Sequence, residues 1–272
     1  MPETSSMGRI KVFLESSFPE GYGALRLRWY KHQLRQMAKV IVAQHGLMVQ
    51  SGPFQGMRYL PEMLSPDQLL QHAVLPKILG SYEAELHPVL AQLLKRDYQK
   101  IVNIGCSEGY YSTGLALRLP GAHIYAFDLD AGACRFCEQM ARLNGVADRV
   151  TIGQECTRER LQGLATKSTL VVCDCEGCEL GLLRPDLVPG LAASDLVVEL
   201  HDCVDPSISR VVPARFGETH DVTLVQKSDH DPSAYPLLER FSSHQQRLAV
   251  SESNWGPPRS WVLLCAKNSV QM

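Results

Sequence analysis

No stretch of this sequence approaches the ~18 consecutive apolar residues that a helix needs to cross a membrane, and nothing suggests a membrane protein. Neither charge dominates: 27 Lys and Arg stand against 29 Asp and Glu, for a formal net charge of -2. Such a balance creates no field that would gather nucleic acid or an anionic membrane, and it points to small ligands or protein partners. The opening MPETSSMGRIKVF lacks the apolar run of a secretory signal. Nine cysteines are an odd number for a closed disulfide framework. The expectation is a cytoplasmic protein with reduced thiols. Nor do the cysteines read as a zinc site, which wants four thiolates or imidazoles converging from loops. Cys173, Cys175 and Cys178 begin inside an apolar strand-like run, while Cys134 and Cys137 lie on an amphipathic helix. They read as small hydrophobes of a core. Internal repeats and low-complexity tracts are also missing.

What is present, from residue 100 onward, is an alternation of short apolar runs with amphipathic stretches. KIVNIG (100–105), HIYAFDLD (123–130), RVTIGQ (149–154), TLVVCDC (169–175) and DLVVELHD (195–202) are nearly continuous in apolar character, as strands covered on both faces must be. YYSTGLALRL, AGACRFCEQMARLNG, RERLQGLA and ELGLLRPDLVPG, between them, read as helices or helical turns. The rhythm predicts a doubly wound, mostly parallel α/β sheet over 100–272. Two late strands, DVTLVQKS (221–228) and SWVLLCAKN (260–268), enclose an insertion at about 229–258 that carries a helical pattern around AYPLLERFSSHQQRL. Residues 1–99 form a mostly helical extension that either covers the sheet as a lid or packs on it. Within it, SGPFQGMRYL suggests a turn and a short strand.

The corner VNIGCSEGYY (102–111) is the most informative stretch. Gly105 and Gly109 stand four apart where the first strand turns into a helix, with Asn103 before them and Ser107 between. Such glycines either solve a backbone problem or let the main chain approach a ligand. In an open parallel sheet, ligands bind beyond the carboxyl ends of the strands near this first turn. The next strand closes in Asp128 and Asp130, about twenty residues on, where a carboxylate can accept from a ribose diol. An adenosine-containing ligand fits both features. A dinucleotide fingerprint, G-x-G-x-x-G, needs a middle glycine that GCSEG does not supply, and a phosphate loop would want Gly-Lys-Ser/Thr where Tyr110 and Tyr111 stand. A pyrophosphate is therefore disfavoured.

The pattern N-x-G-x-S-x-G, between strand and helix, resembles motif I of the class I S-adenosylmethionine (SAM)-dependent methyltransferases, with Asn103 in place of the usual acid and Ser107 in place of the central glycine. GPFQGMRYL, NIGCSEGYYS, YAFDLDAGACRFCEQMARLNG and DCEGCELGLL resemble, in the same order, segments of the FkbM-type methyltransferases. The resemblance covers about 100–202 well and the extension loosely. It implies a Rossmann-like, seven-stranded sheet with SAM laid across its first strands. Asn103, Gly105, Ser107 and Gly109 would then line the cofactor turn, with the Asn103 amide accepting from the ligand's ammonium. Asp128 with its neighbour Leu129 would meet the ribose, and Gln154, Glu155 and Cys156 the adenine. Asp174, Glu176, Gly177 and Glu179 match the D-x-E-G-x-E segment after the fourth strand. Tyr82 and Glu83, in GSYEAEL, either reach over SAM as part of a lid or simply begin a helix.

Methyl transfer from a sulfonium is an in-line displacement, and a neutral hydroxyl acceptor needs a base nearby. His201 is the leading candidate because its ordinary pKa of ~6.5 lets it take a proton at working pH; the plain alternative is a hydrogen-bonded ring at a strand end. Glu199, Asp202, Asp174 and Glu176 surround it in sequence. Asp174 and Glu176 are counted with it as catalytic, or Asp174 orients the methionine end or the acceptor. Glu179 suits the start of the following helix. A divalent metal is not expected, although Asp174, Glu176, His201 and Asp202 could supply hard ligands for one. Trp255, Arg259 and Trp261 read as packing or solvated groups. The sequence thus leads to a SAM-dependent methyltransferase acting on an oxygen of a small hydroxylated metabolite, with nitrogen or carbon acceptors left open. The rivals are an NAD(P)-dependent Rossmann oxidoreductase and a methyltransferase-like binding subunit without turnover. Oligomeric state is unknown at this point.

Overall fold

The structure, a computed structural model, describes residues 19–228, 230–252 and 260–267. Seven strands form one sheet: β1 (Lys100–Ile104), β2 (His123–Phe127), β3 (Val150–Gly153), β4 (Thr169–Cys173), β5 (Asp195–Leu200), β6 (His220–Gln226) and β7 (Ser260–Ala266). Their order is β3-β2-β1-β4-β5-β7-β6. β1 to β5 run parallel, and β7 is antiparallel to both β5 and β6. This is the Rossmann-like, seven-stranded arrangement of class I methyltransferases, and each apolar run of the sequence supplies one strand. Every residue of β4 and β5 is buried, which is why those runs show no polar alternation.

The crossovers use α5 (Tyr110–Arg118), α6 (Ala131–Leu143), α7 (Arg158–Leu164), α8 (Glu179–Leu182) and α9 (Ile208–Phe216). ELGLLRPDLVPG departs from the helical expectation. Only the four residues of α8 are α-helical, and the chain then breaks at Pro185 before a 3-10 turn over Pro189–Ala193. α9 carries Pro213 in its interior, a residue that argues against a helix on sequence grounds.

Ahead of the sheet come α1 (Pro19–His45), α2 (Pro66–Gln71), α3 (Val74–Leu79) and α4 (His87–Leu93). SGPFQGMRYL forms a turn but no strand; its only β-pairing is a single bridge between Met48 and Arg58. These first elements are one wall of the core. Leu34, Met37, Ile41, Phe54, Leu75 and Ile78 pack in a single cluster with Ile101, Leu170, Val172, Val197 and Trp261 of the sheet. Val102, Val171, Leu196 and Val198 face the opposite way, toward Leu161 of α7 and Ile208, Val212 and Phe216 of α9. The alternation along the strands thus fills two cores. The insertion adds α10 (Ser243–Val250), whose start is fastened by a reciprocal Ser242–Gln245 capping box. None of the described helices is long and apolar enough to cross a membrane.

Phe54 pins the early segment to the first crossover helix. Its ring stands edge-on to Tyr110 and Tyr111, and a Cβ on Gly114 would meet it at 2.5 Å. Phe54→Ala is expected to cost about 3 kcal/mol through the cavity it leaves, read as a fall in the denaturant midpoint with the slope unchanged.

Candidate functional site

The turn between β1 and α5 answers first to the protein's own backbone. Gly105 has φ +81°, and a Cβ there would fall 1.6 Å from the carbonyl oxygen of Asp174, just past β4. Gly109 has φ +96°, and its Cβ would lie 3.0 Å from Cys137 Cα on α6. Both glycines are therefore fixed by contact with neighbouring chain, and Gly109 borders neither of the two cavities that open beside the turn.

Ser107 sits between them in the left-handed region, at φ +48°. Two groups hold it there. Its N–H donates to Asp128 Oδ2 at 2.8 Å, and its hydroxyl lies 3.0 Å from His72 Nδ1. Asp128 Oδ1 accepts the N–H of Asp130 at 2.9 Å, so each carboxylate oxygen is oriented by a backbone donor. Glu108 turns inward and is fully buried. Lys77 Nζ donates to its Oε1 at 2.6 Å, Tyr59 donates to the same oxygen at 3.2 Å, and His72 Nδ1 lies 3.3 Å from Oε2. Burial opposes ionisation of Glu108, but Lys77 and His72 overcome it and hold the carboxyl well below the usual range. The early helices thus clamp the turn from outside the sheet.

Two cavities open on this corner. The larger, about 830 Å³, is bordered by Phe127, Leu129, Glu155, Cys156 and Leu182. The smaller, about 350 Å³, is bordered by Tyr82, Glu83, Tyr110, Glu199 and Glu252. Gly105, Asp128, Asp174 and Glu176 line both, so the two chambers meet at the tips of β1, β2 and β4. Four non-glycine residues among those described have left-handed backbone: Ala73, Glu83, Ser107 and Glu176. All four line the smaller chamber. At about 1–2 kcal/mol each, such conformations persist where surrounding contacts enforce them, and they cluster at functional sites.

Carboxylates crowd its far wall. His201, fully buried, donates from Nδ1 to Glu179, while its Nε2 lies 3.1 Å from Glu199, 3.3 Å from Asp174 and 3.5 Å from Glu176. Burial alone would lower the ring's pKa, but hydrogen bonds to Asp174, Glu179 and Glu199 outweigh it and lift it to about 12. So encircled, His201 keeps its proton, and the role of free base expected for it passes elsewhere. Glu199 is raised as well: burial and the charge of Asp174, partly offset by His201, bring it to about 7. Burial and the charges of Glu199, Glu252 and Asp174 push Glu83 well above the usual range, and Tyr111 donates to it. Burial would do the same to Glu252, but His230 and Lys227 hold it low.

Several sequence expectations need correction. Asn103 is 1 % exposed and borders neither chamber, and its Oδ1 accepts from the Ser112 hydroxyl at 2.7 Å, so it does not reach a ligand's ammonium. Asp174, Glu176 and His201 bring donor atoms within 4.8 Å of one another, but Asp202 is exposed and caps the N–H of Ser209. Glu199 stands in the cluster where Asp202 was expected. Glu179 does begin α8, yet it also holds His201. Cys175 and Cys178, expected as thiols, are joined in a disulfide, and their Cα separation of 5.6 Å is within bridging reach. Trp261 is packed at 2 % exposure against Tyr111; Trp255 and Arg259 lie outside the described residues. Tyr82, Leu129, Gln154, Glu155 and Cys156 all border a chamber. The Lys77–Glu108–His72 clamp went unanticipated. Its signals were a glutamate inside the glycine-bounded turn and a lysine within the apolar VLPKIL.

No protein-family model and no curated protein sequence matches the chain. Solved structures of similar fold include an O-methyltransferase of tomaymycin synthesis from Streptomyces achromogenes in complex with SAM (17 % identity, 68 % of this chain and 80 % of that one, TM-score 0.44). Others are an O-methyltransferase from Bacillus cereus in complex with SAH (13 %, 87 % and 91 %, 0.45) and an rRNA methylase from Streptococcus thermophilus (13 %, 68 % and 99 %, 0.46). Similarity of this order assigns neither an activity nor a substrate.

Lys77→Met should strand the Glu108 charge inside the protein and cost about 3 kcal/mol or more. A thermal-melt series with Lys77→Met, Glu108→Gln and the double variant checks this: the double variant should recover part of the loss.

Proposed function

We propose that this chain is a SAM-dependent methyltransferase acting on an oxygen of a small hydroxylated molecule. The observation that carries the reading is the charge of the smaller chamber. Asp174, Glu176 and Glu252 line it with Glu199, while Glu83 beside them is held in its neutral form, and its one lysine among the described residues, Lys77, is already paired with Glu108. A wall of that sign favours a sulfonium and an ammonium and disfavours a pyrophosphate, which speaks against a nicotinamide dinucleotide. The larger chamber complements it. The Asp128 carboxylate, its oxygens already aimed by backbone N–H groups, suits a ribose diol, and the 79 % exposed Leu129 with Phe127 and Cys156 offers apolar surface to a flat base. Bound SAM would supply the electrophilic methyl group.

The chain's own residues then have distinct tasks. The clamped turn fixes Ser107 and Asp128. His201 binds together the carboxylates of Asp174, Glu176 and Glu199 and keeps them in register. Glu199, on β5 and open to the chamber, accepts the proton of an acceptor hydroxyl, since a carboxyl near pH 7 has both the capacity and the ionisation for that step. The cytoplasmic setting remains part of this proposal.

Calorimetry with the demethylated cofactor SAH tests the reading directly. Binding to the wild type is expected, with at least a tenfold loss in Asp128→Ala; a folded wild type giving no heat with SAM or SAH would remove it. Methyl transfer to a panel of hydroxylated acceptors should be slowed ~100-fold by Glu199→Gln with SAH affinity kept within a few-fold. Wild-type turnover should rise with pH through about 7 as Glu199 ionises. Binding without turnover on any acceptor would favour the binding-subunit reading. Activity should survive dialysis against a chelator, and its loss with recovery on adding Mg²⁺ would make the cluster at His201 a metal centre.

A further inference from the structure

From the last residue of β4 the chain reads Cys173-Asp174-Cys175-Glu176-Gly177-Cys178 and brings three sulfurs together. Cys175 and Cys178 form the disulfide, and the thiol of Cys173, fully buried, lies 3.6 Å from Cys175 Sγ. The bridge closes over Glu176 (φ +53°) and Gly177 (φ +115°), two successive left-handed residues. A Cβ on Gly177 would come within 2.7 Å of Val204 Cγ1, so the turn is also pressed against the segment after β5. Both bridged cysteines line the larger chamber. The residues on either side of Cys175, Asp174 and Glu176, line both chambers and reach His201. A covalent tie thus fastens the wall shared by the two cavities, and it is open to a reagent entering the larger one.

We propose that Cys175 and Cys178 form a reversible dithiol–disulfide site that sets the shape of the cleft, taking small or protein dithiols as its reductant. Oxidised, the bond holds residues 175–178 in a turn whose centre, Glu176 and Gly177, is left-handed. Reduced, the turn loses its tie and relaxes. A thiolate of the dithiol attacks one sulfur of the bridge, and the S–S bond breaks to release one cysteine as its thiol. The second thiol of the reductant then resolves the mixed disulfide. Two electrons and two protons pass to the protein, and the reductant leaves as its own disulfide. Cys173 does not compete as the attacking group, because exchange needs a thiolate and burial with nearby carboxylates keeps that thiol protonated. Cys106, Cys137 and Cys265 are buried too.

The test uses the full chain in two forms, equilibrated in air and treated with dithiothreitol, and only its last step relies on the function proposed above. Thiols titrated in denaturant should number seven in the first form and nine in the second. Cys175→Ser should show eight under either treatment, one fewer than the nine cysteines of the sequence. Amide exchange in peptides covering 174–182 should quicken at least tenfold on reduction, and Cys175→Ser should match the reduced wild type. Nine thiols in the air-equilibrated protein, with or without bound zinc, would overturn the proposal. So would exchange rates equal in the two forms, or a redox difference that persists in Cys175→Ser. SAH titrated into both forms should bind with affinities differing at least fivefold, and equal affinities would refute control of the cleft. If SAH binds neither form while the thiol and exchange differences hold, the redox site stands and the SAM assignment falls.

Discussion

The contact on which the rest of this molecule depends is that of Gly105 with the carbonyl of Asp174. Adjacent parallel strands β1 and β4 leave the sheet side by side, and no side chain fits between their exits. That approach sets where the first turn goes. It therefore sets where Asp128 is met, where Asp174 and Glu176 emerge and where the two chambers join. A larger residue at 105 would part the strand ends and with them every element of the site. Glycine is needed here for the sake of the chain itself, and the cleft is a consequence.

Around that contact the protein concentrates what is unfavourable. The left-handed non-glycine residues, the buried carboxylates Glu83, Glu108 and Glu199 and the buried Lys77 all line one small chamber. Elsewhere the sheet is covered on both faces by ordinary apolar packing. The two facts are connected. Like charges and strained turns hold only where a rigid frame over-determines them, and a fully buried central pair of strands supplies such a frame. His201 is the internal part of the same solution. With its proton, it gives Asp174, Glu176, Glu199 and Glu179 a common counter-charge that none could find in solvent. The segment carrying the disulfide lies between this frame and the open cavity, where a covalent tie has the most to hold.

Much of this was legible in the one-dimensional pattern. Near-continuous apolar runs such as TLVVCDC and DLVVELHD marked strands covered on both sides, and their alternation with amphipathic segments gave a doubly wound sheet, because hydrophobic periodicity is local and the strand connections are short. The turn at 105–109, the carboxylate closing β2 and the D-x-E-G-x-E segment could likewise be placed at strand ends. What misled was reading roles from residue type. Asn103 is polar and sits in the motif, yet it faces Ser112 inside the protein. Asp202 is adjacent to His201 in sequence and turns to solvent, while Glu199, two residues back, turns in.

The sequence by itself determined the sheet, its crossovers and the level at which a ligand site would lie, since these follow from patterns a few residues long. Only the tertiary structure decided that Lys77 and His72, some thirty residues upstream, clamp Glu108, and that early helices form a wall of the core. It alone placed His201 among four carboxylates, raised Glu199 toward neutral pH by burial, and joined Cys175 to Cys178. Each of these depends on charges and atoms brought together from separate segments, and the free energy of a buried charge is set by its neighbours in space.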